Sequence, residues 1–268
     1  MPVRLRRSCL TVPGDDERKL ANAAQLEPDE VIVDLEDAVA PARKDEAREI
    51  SARALRDLEW RAATVALRVN RGSPEDLEVV ADARPDVVVV PKVESPDEVE
   101  RLPVPAEAQI ETARGLVECE RIAAARGLEA LVFGPGDLAA SLGVPKLVLG
   151  EGAHLPYALA RVVVAARAFG LAAVDGPHVA LDDPDGLRAS ARRSFELGYD
   201  GKWCIHPSQI ATCNEVYAPT PDQVERARRI VATDGAAARL DGEMIDEATR
   251  KMAQSLLARA RLYDPRDE

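Results

Sequence analysis

Three carboxylates stand within four positions where the apolar run VIVDLEDAVAP ends: Asp34, Glu36 and Asp37. Like charges this close raise one another's pKa unless a cation, a donor or open water lies among them. Two further acids close apolar runs, Glu111 in AQIETARG and Asp137 in FGPGDLAAS. Each has an ordinary alternative: Glu111 bridging to Arg114, Asp137 capping the helix that begins there. Taken together, two carboxylates at the ends of successive strands suit a hard dication held by oxygen ligands and water, and Mg2+ is the natural candidate. Gly134 and Gly136 in GPGD let a ligand approach the backbone closely, and the following helix start offers N–H groups to a carboxylate.

Cations lie near these acids. Arg68, in LRVN, either points inward to hold an anion or snorkels outward between helices. Lys92, in VPKVES, has three readings: a Schiff-base lysine, a neutraliser of the Asp34–Glu36–Asp37 cluster, or a surface residue. A chain that already offers a metal site needs no second route to carbon–carbon chemistry, which favours the last two. Arg18, Arg43, Lys44 and Arg48 fall on helical stretches where intrahelical ion pairs are the ordinary reading.

The elements that must position these residues recur with a regular rhythm. Short apolar runs occupy 9–12, 30–34, 64–69, 86–90, 108–111, 130–133, 171–174 and 202–205, with amphipathic stretches such as DDERKLANAA, KDEAREISARALRDL and ETARGLVECERIAAA between most of them. Continuous apolar strands alternating with helices predict a buried parallel sheet, and eight such units predict a closed (β/α)8 barrel. The chemistry-bearing residues follow the runs directly, so the barrel would gather them at the C-terminal ends of its strands. The expected division is a barrel over 1–215 and a helical arm over 216–268, the latter with helices at 221–236 and 247–263 joined by ARLDGEMID. That arm exceeds what eight units need, so it packs on its own barrel or reaches a neighbour.

Composition narrows the function classes. In 268 residues, 46% apolar, the aromatics are only 3%, so the core is expected to be built from Ala, Val, Leu and Ile. A net charge of −12 and the lack of an aromatic-interleaved basic patch argue against a nucleic-acid partner. Cys9, Cys119, Cys204 and Cys213 show no CxxC spacing and read as reduced thiols in a cytoplasmic protein. The three histidines, His154, His178 and His206, lack zinc-site spacing. No apolar run long enough to span a membrane and no signal-peptide pattern is present.

Read together, RSCLTVPG, VIVDLEDAVAPARKDEAR, LRVN, VPKVES, IETARGL, GPGDLAASLG, CIHPSQI and DGEMID resemble the citrate lyase β-subunit (CitE-like) group of the HpcH/HpaI aldolase family, in order, over about residues 6 to 258. The resemblance implies a Mg2+-dependent barrel lyase that splits a 3-hydroxyacyl thioester, such as malyl-, citramalyl- or citryl-CoA, into an acyl-CoA and a 2-oxo acid. Carried over by position, it makes Glu111 and Asp137 the metal ligands. Arg68 would bind the substrate's keto or hydroxyl oxygen, and the N–H groups around Gly136 and Asp137 the oxo-acid carboxylate. Arg18, Arg43, Lys44 and Arg48 match a region that contacts CoA phosphates, and Ile205 and His206 a stretch near the thioester arm.

Asp246 matches an acid on the C-terminal arm that in relatives enters a neighbouring subunit's site, where it exchanges a proton with the acyl group. That implies a homo-oligomer, a homotrimer or homohexamer. Asp34, Glu36, Asp37 and Lys92 are then expected around the metal site rather than as ligands themselves, the three acids holding waters on the metal and orienting the nearby cations Lys92 and Arg68. Thr11 stands where relatives often carry an aromatic residue, and Asn22 where some carry a lysine. Alternatives beside the lyase are a citrate lyase β subunit acting on citryl-acyl-carrier protein, a catalytically silent CoA-binding scaffold, and a metal-dependent aldolase on free hydroxy-oxo acids, the last of which leaves the basic residues after strand two and the arm without a task.

Overall fold

A computed structural model describes residues 4–145, 154–233 and 237–263. The chain forms two compact units, Met1–Asn214 and Glu215–Glu268. In the first, eight parallel strands close into a barrel in sequential order, as the repeating pattern predicts. The strands are β1 (Ser8–Pro13), β2 (Glu30–Asp34), β3 (Thr64–Arg68), β4 (Val87–Val90), β5 (Ala106–Ile110), β6 (Leu128–Phe133), β7 (Ala172–Asp175) and β8 (Gly201–Cys204). β1 pairs with β8 to shut the cylinder, with Cys9 opposite Trp203.

Helices α1 (Glu17–Ala24), α2 (Lys44–Asp57), α3 (Pro74–Ala83), α4 (Ala113–Val117), α5 (Cys119–Ala123), α6 (Pro135–Ser141), α7 (Leu155–Ala168), α8 (Pro184–Leu197) and α9 (Ile210–Val216) make the connections. The sequence pattern predicts one helix over 111–125. Instead Glu111 precedes the helical region, Thr112 caps α4 by accepting the Gly115 N–H, and the stretch is split into α4 and α5. Between β4 and β5 there is only a 3-10 turn, Pro96–Glu98.

Cys9, Ile32, Ala66, Val87, Val89, Val132, Val174 and Trp203 pack together as one buried cluster contributed by seven of the strands. Residues in register across parallel strands face the same way, so this cluster identifies the inner face. Ile32 pairs with Ala66, and two residues further along Asp34 pairs with Arg68. On β5, Glu107 pairs with Val89 and Ala130, and Gln109 with Val132. Both polar side chains of β5 therefore share the inner face with the apolar ring.

The N-terminal ends of the strands hold a buried ion cluster absent from any motif. Arg6 donates to Glu107 at 2.5 Å, lies 2.9 Å from Glu129 and 3.5 Å from Glu30. Glu30 and Glu107 have no exposed surface. Burial, reinforced by Glu107, pushes the Glu30 carboxyl well above its ordinary range. In the second unit, α10 (Pro221–Val231) opens on a capping box at Thr220, and α11 (Glu247–Tyr263) packs on it. The predicted extension of the first helix to 236 includes 234–236, which lie outside the described residues. The linker between the helices is a hairpin, β9 (Ala238–Leu240) and β10 (Glu243–Ile245), turned by Asp241 and Gly242, both at positive φ.

No described helix is long and apolar enough to cross a membrane, and the four cysteines are free and buried. The Arg6 cluster yields a paired expectation for denaturant unfolding. Arg6→Met, which leaves buried carboxylates without their cation, costs roughly 3–5 kcal/mol. Glu30→Gln behaves oppositely. The folded state holds the Glu30 proton to higher pH than the unfolded chain, so wild-type stability from this group is lost as pH rises above the ordinary carboxylate range, and the variant gains on wild type over that rise.

Candidate active site at the C-terminal mouth of the barrel

The DLED acids are kept apart by cations rather than crowded together. Asp34, fully buried, accepts Arg68 Nε at 2.7 Å and Arg68 Nη2 at 2.5 Å, together with the backbone N–H groups of Glu36 at 2.8 Å and Ala38 at 3.2 Å. Glu36 lies 2.8 Å from Arg68 Nη1 and accepts a short bond from Lys92 Nζ. Burial raises the Glu36 carboxyl above its ordinary range, against the pull of Arg68 and Lys92. Asp37 is exposed, 3.5 Å from Lys92 Nζ. The register that sets Asp34 beside Arg68 also settles the arginine's direction, which is inward, with its Cζ 5.0 Å from the centre of the Trp203 ring.

Lys92 links the strand-two acids to the strand-five acid. Its backbone is left-handed, at φ 53°, a conformation that a non-glycine residue adopts at a cost of about 1 kcal/mol. In that conformation its N–H donates to Glu111 Oε1 at 2.8 Å, while Nζ stands 3.8 Å from Asp137. Burial alone would lower the Lys92 pKa, but the Glu36, Glu111 and Asp137 carboxylates overcome it and hold the ammonium above the ordinary lysine range. A lysine so firmly charged is a poor Schiff-base nucleophile. Of its three readings, neutralisation of the acid cluster matches the geometry.

Glu111 is only 3% exposed, and besides the Lys92 N–H its nearest donor is Gln109 Nε2 at 3.4 Å. Burial, then the Asp137 charge, pushes its carboxyl up to about 7. It does not bridge to Arg114, which pairs with Glu118 at 2.9 Å. Gly134 explains part of GPGD: a Cβ there would lie 2.3 Å from Glu111 Oε2, so only glycine lets β6 pass this close to the acid. Gly134 is also the N-cap of α6, with no side-chain capping bond. Asp137 sits inside the first turn instead of capping it, beside Gly136.

Four basic residues from the α1–α2 region occupy different surroundings. Arg18 is exposed on α1. Arg43 pairs with Asp15 at 2.6 Å and Glu46 at 2.9 Å, at the side of a cleft of about 830 Å3 also lined by Asp16, Lys19 and Arg53. Lys44 spends its donors on Leu35 O and Glu36 O at 2.6 Å and on Asn70 Oδ1 at 2.8 Å, clamping the DLED loop. Arg48 turns to Asp76 at 2.6 Å and Asp45 at 2.5 Å. A second cleft, about 370 Å3, brings Thr11 and Asn22 together with Ile205 and His206; the Thr11 hydroxyl is buried without a hydrogen-bond partner. Asp246, in the other unit, accepts both the N–H and the hydroxyl of Thr249 at 2.8 Å, and these bonds hold its carboxyl below the ordinary range.

Sequence reasoning expected the strand-two acids as a group to orient Arg68 and Lys92 without singling out Asp34 as the clamp, and it missed Trp203 and Gln109 beside the site. Opposite charges closing adjacent predicted strands, at Asp34 and Arg68, are a signal for the first. Among the described residues, no three His, Cys, Asp or Glu side chains form a metal cage. Glu111 and Asp137 are instead two hard oxygen donors, one of them buried with too few hydrogen bonds to offset its charge. That is the donor set Mg2+ uses when water and substrate complete its coordination.

A closed parallel barrel with acids and an inward arginine at its C-terminal mouth is the architecture of barrel enzymes. The model of the HpcH/HpaI aldolase/citrate lyase family matches residues 7–107 and 103–207. A (3S)-malyl-CoA thioesterase of Cereibacter sphaeroides is 35% identical, covering 95% of this chain and 94% of its own. The mitochondrial citramalyl-CoA lyase of Rattus norvegicus is 33% identical, covering 95% and 86%. The CitE protein of Mycobacterium tuberculosis, solved with magnesium, acetoacetate and coenzyme A, superposes with a TM-score of 0.82 at 33% identity, over 94% of this chain and 97% of that one. The chain belongs to the HpcH/HpaI aldolase/citrate lyase family and is an oxo-acid lyase.

The unfolded chain releases the Glu111 proton near its ordinary value of 4.5 and the folded, metal-free chain near 7. Stability that the protonated acid confers is therefore lost as pH rises between those values. Glu111→Gln should match wild type in metal-free thermal unfolding below pH 4.5 and exceed it at pH 8 by roughly 1–3 kcal/mol. Equal curves at both pH values would show that Glu111 is not strained by its burial.

Proposed function

We propose that this chain is a Mg2+-dependent lyase that cleaves, or forms, a 3-hydroxyacyl-CoA thioester of the malyl- or citramalyl-CoA type, exchanging it for an acyl-CoA and a 2-oxo acid. The observation that carries the proposal is the grouping of Glu111, Asp137 and the inward Arg68 at the barrel mouth. Glu111 and Asp137 would hold Mg2+, which when bound supplies a Lewis acid beside the substrate oxygens. Arg68 has Nε and Nη2 committed to Asp34 and Nη1 at 2.8 Å from Glu36 Oε2, and from that position would lend its positive charge to the oxygen that gains negative charge as the carbon–carbon bond breaks. The N–H groups of Gly136 and Asp137 would receive the oxo-acid carboxylate.

Asp34, Glu36 and Lys92 orient this set: Asp34 fixes Arg68, and Glu36 and Lys92 tie the loops after β2 and β4 together. Asp37, exposed beside Lys92, would meet water around the metal. The cleft lined by Thr11, Asn22, Ile205 and His206 would take the thioester arm, and the exposed Arg18 and Arg43 the CoA phosphates. Lys44 and Arg48 serve instead to hold the DLED loop and α2. Asp246, kept ionised by Thr249, is in the state of a proton acceptor. It would take the proton from the acyl group in condensation, acting from a neighbouring copy in a homo-oligomer, as its likeness to the family's arm motif implies.

A thioester panel with a mass readout tests the reaction class. Acyl-CoA and a 2-oxo acid should appear with Mg2+ and not with a chelator. Free CoA as the final product would add hydrolysis, and no product from malyl-, citramalyl- or citryl-CoA would sink the proposal. Metal titration tests the ligands: Glu111→Gln should weaken Mg2+ binding far more than Glu36→Gln or Asp37→Asn, whose losses should be about tenfold. Co-expressed Glu111→Gln and Asp246→Ala chains should recover roughly a quarter of wild-type activity if the acid acts across copies, and none if it acts within its own chain.

A further inference from the structure

We propose that Trp203 is the positioning residue for Arg68: its indole is the floor on which the guanidinium rests, and it fixes the height and tilt of the arginine at the barrel mouth. The inference rests on the role proposed above for Arg68.

Asp34 grips Arg68 along one edge, through Nε and Nη2. A clamp on one edge of a planar group leaves the group free to rock about that edge. Glu36 Oε2, 2.8 Å from Nη1, adds an ion pair at the other end, but carboxylates acting on the nitrogens leave the flat face of the guanidinium without support. The Trp203 ring, 5.0 Å from Cζ, supplies the missing restraint by facing the guanidinium. Both side chains are nearly buried, 7% exposed for Arg68 and 5% for Trp203, and desolvation strengthens the attraction of a cation for the face of an aromatic ring.

Simple space filling explains Trp203 less well. Its partners in the inner cluster are Cys9, Ile32, Ala66, Val87, Val89, Val132 and Val174, all small or aliphatic. An aliphatic residue would fill the layer without an indole N–H, and here that N–H is buried with no hydrogen-bond partner. The chain has only two tryptophans, and this one is placed where an unsatisfied donor is costly. The face it presents to Arg68 is the property no aliphatic side chain supplies.

The test combines a spectrum and a kinetic cycle. In the metal-free protein, the Arg68 Nε–H resonance, assigned by its loss in Arg68→Lys, should carry a ring-current displacement that Trp203→Leu removes and Trp203→Phe largely keeps. With Mg2+ and the active thioester, Trp203→Leu should lower kcat by about 10- to 30-fold with little change in KM, and Trp203→Phe should restore most of it. In an Arg68→Lys background, the same Trp203→Leu change should have almost no further effect. An equal loss in both backgrounds, or an Arg68 resonance unmoved by Trp203→Leu, overturns the inference. Full activity in Arg68→Lys would instead remove the role proposed for Arg68, while the resonance still decides whether Trp203 holds it.

Discussion

The mouth of this barrel depends on the buried pair between Asp34 and Arg68. An arginine taken out of water at the end of β3 is tolerable only because Asp34 meets it with two bonds, at 2.7 and 2.5 Å, from the adjacent strand. Asp34 in turn receives the Glu36 and Ala38 N–H groups, so the same carboxylate shapes the turn that carries the next acid. From there charge alternates through space, Arg68 to Glu36 to Lys92 to Glu111. Five carboxylates, Asp34, Glu36, Asp37, Glu111 and Asp137, meet two cations, Arg68 and Lys92. The surplus of negative charge falls at Glu111 and Asp137, farthest along the chain of pairs.

Backbone detail makes this arrangement attainable. Gly134 removes the Cβ that would collide with Glu111, and the left-handed turn at Lys92 aims its N–H at the same carboxylate. Lys44 plays a comparable part on the other side, holding Leu35 O and Glu36 O so that the loop after β2 keeps its course. None of these groups needs to touch a substrate to matter. Each sets the position or ionisation of one that could.

The barrel separates this electrostatics from its stability. At the N-terminal ends of the strands, Arg6 gathers Glu30, Glu107 and Glu129 in a buried cluster with the cation at its centre. At the C-terminal ends the acids again outnumber the cations, but there Asp37 and Asp137 are open to solvent. Between the two, β5 places Glu107, Gln109 and Glu111 at alternate positions, and a ring of aliphatic residues with Trp203 fills the remaining width. One strand thus joins the structural end to the chemical end.

By itself the sequence determined the barrel, because strand and helix periodicity are local signals and eight apolar runs with charged residues at their ends read the same wherever they lie in space. It also marked Glu111, Asp137, Arg68 and the DLED acids as unusual, since charges that terminate buried runs demand compensation. What compensates them was decided only by the tertiary structure. Asp34 and Arg68 are 34 residues apart and meet through strand register; Lys92 and Glu36 are 56 apart and meet across the mouth. Local pattern anticipates the i,i+3 pairs Arg43–Glu46 and Arg48–Asp45, but not that Lys44 and Arg48 also reach Asn70 and Asp76 from other elements, or that Glu111 avoids Arg114. Ion pairing depends on barrel closure and on the few ångströms between side chains from different strands, and those distances exist only once the chain has folded.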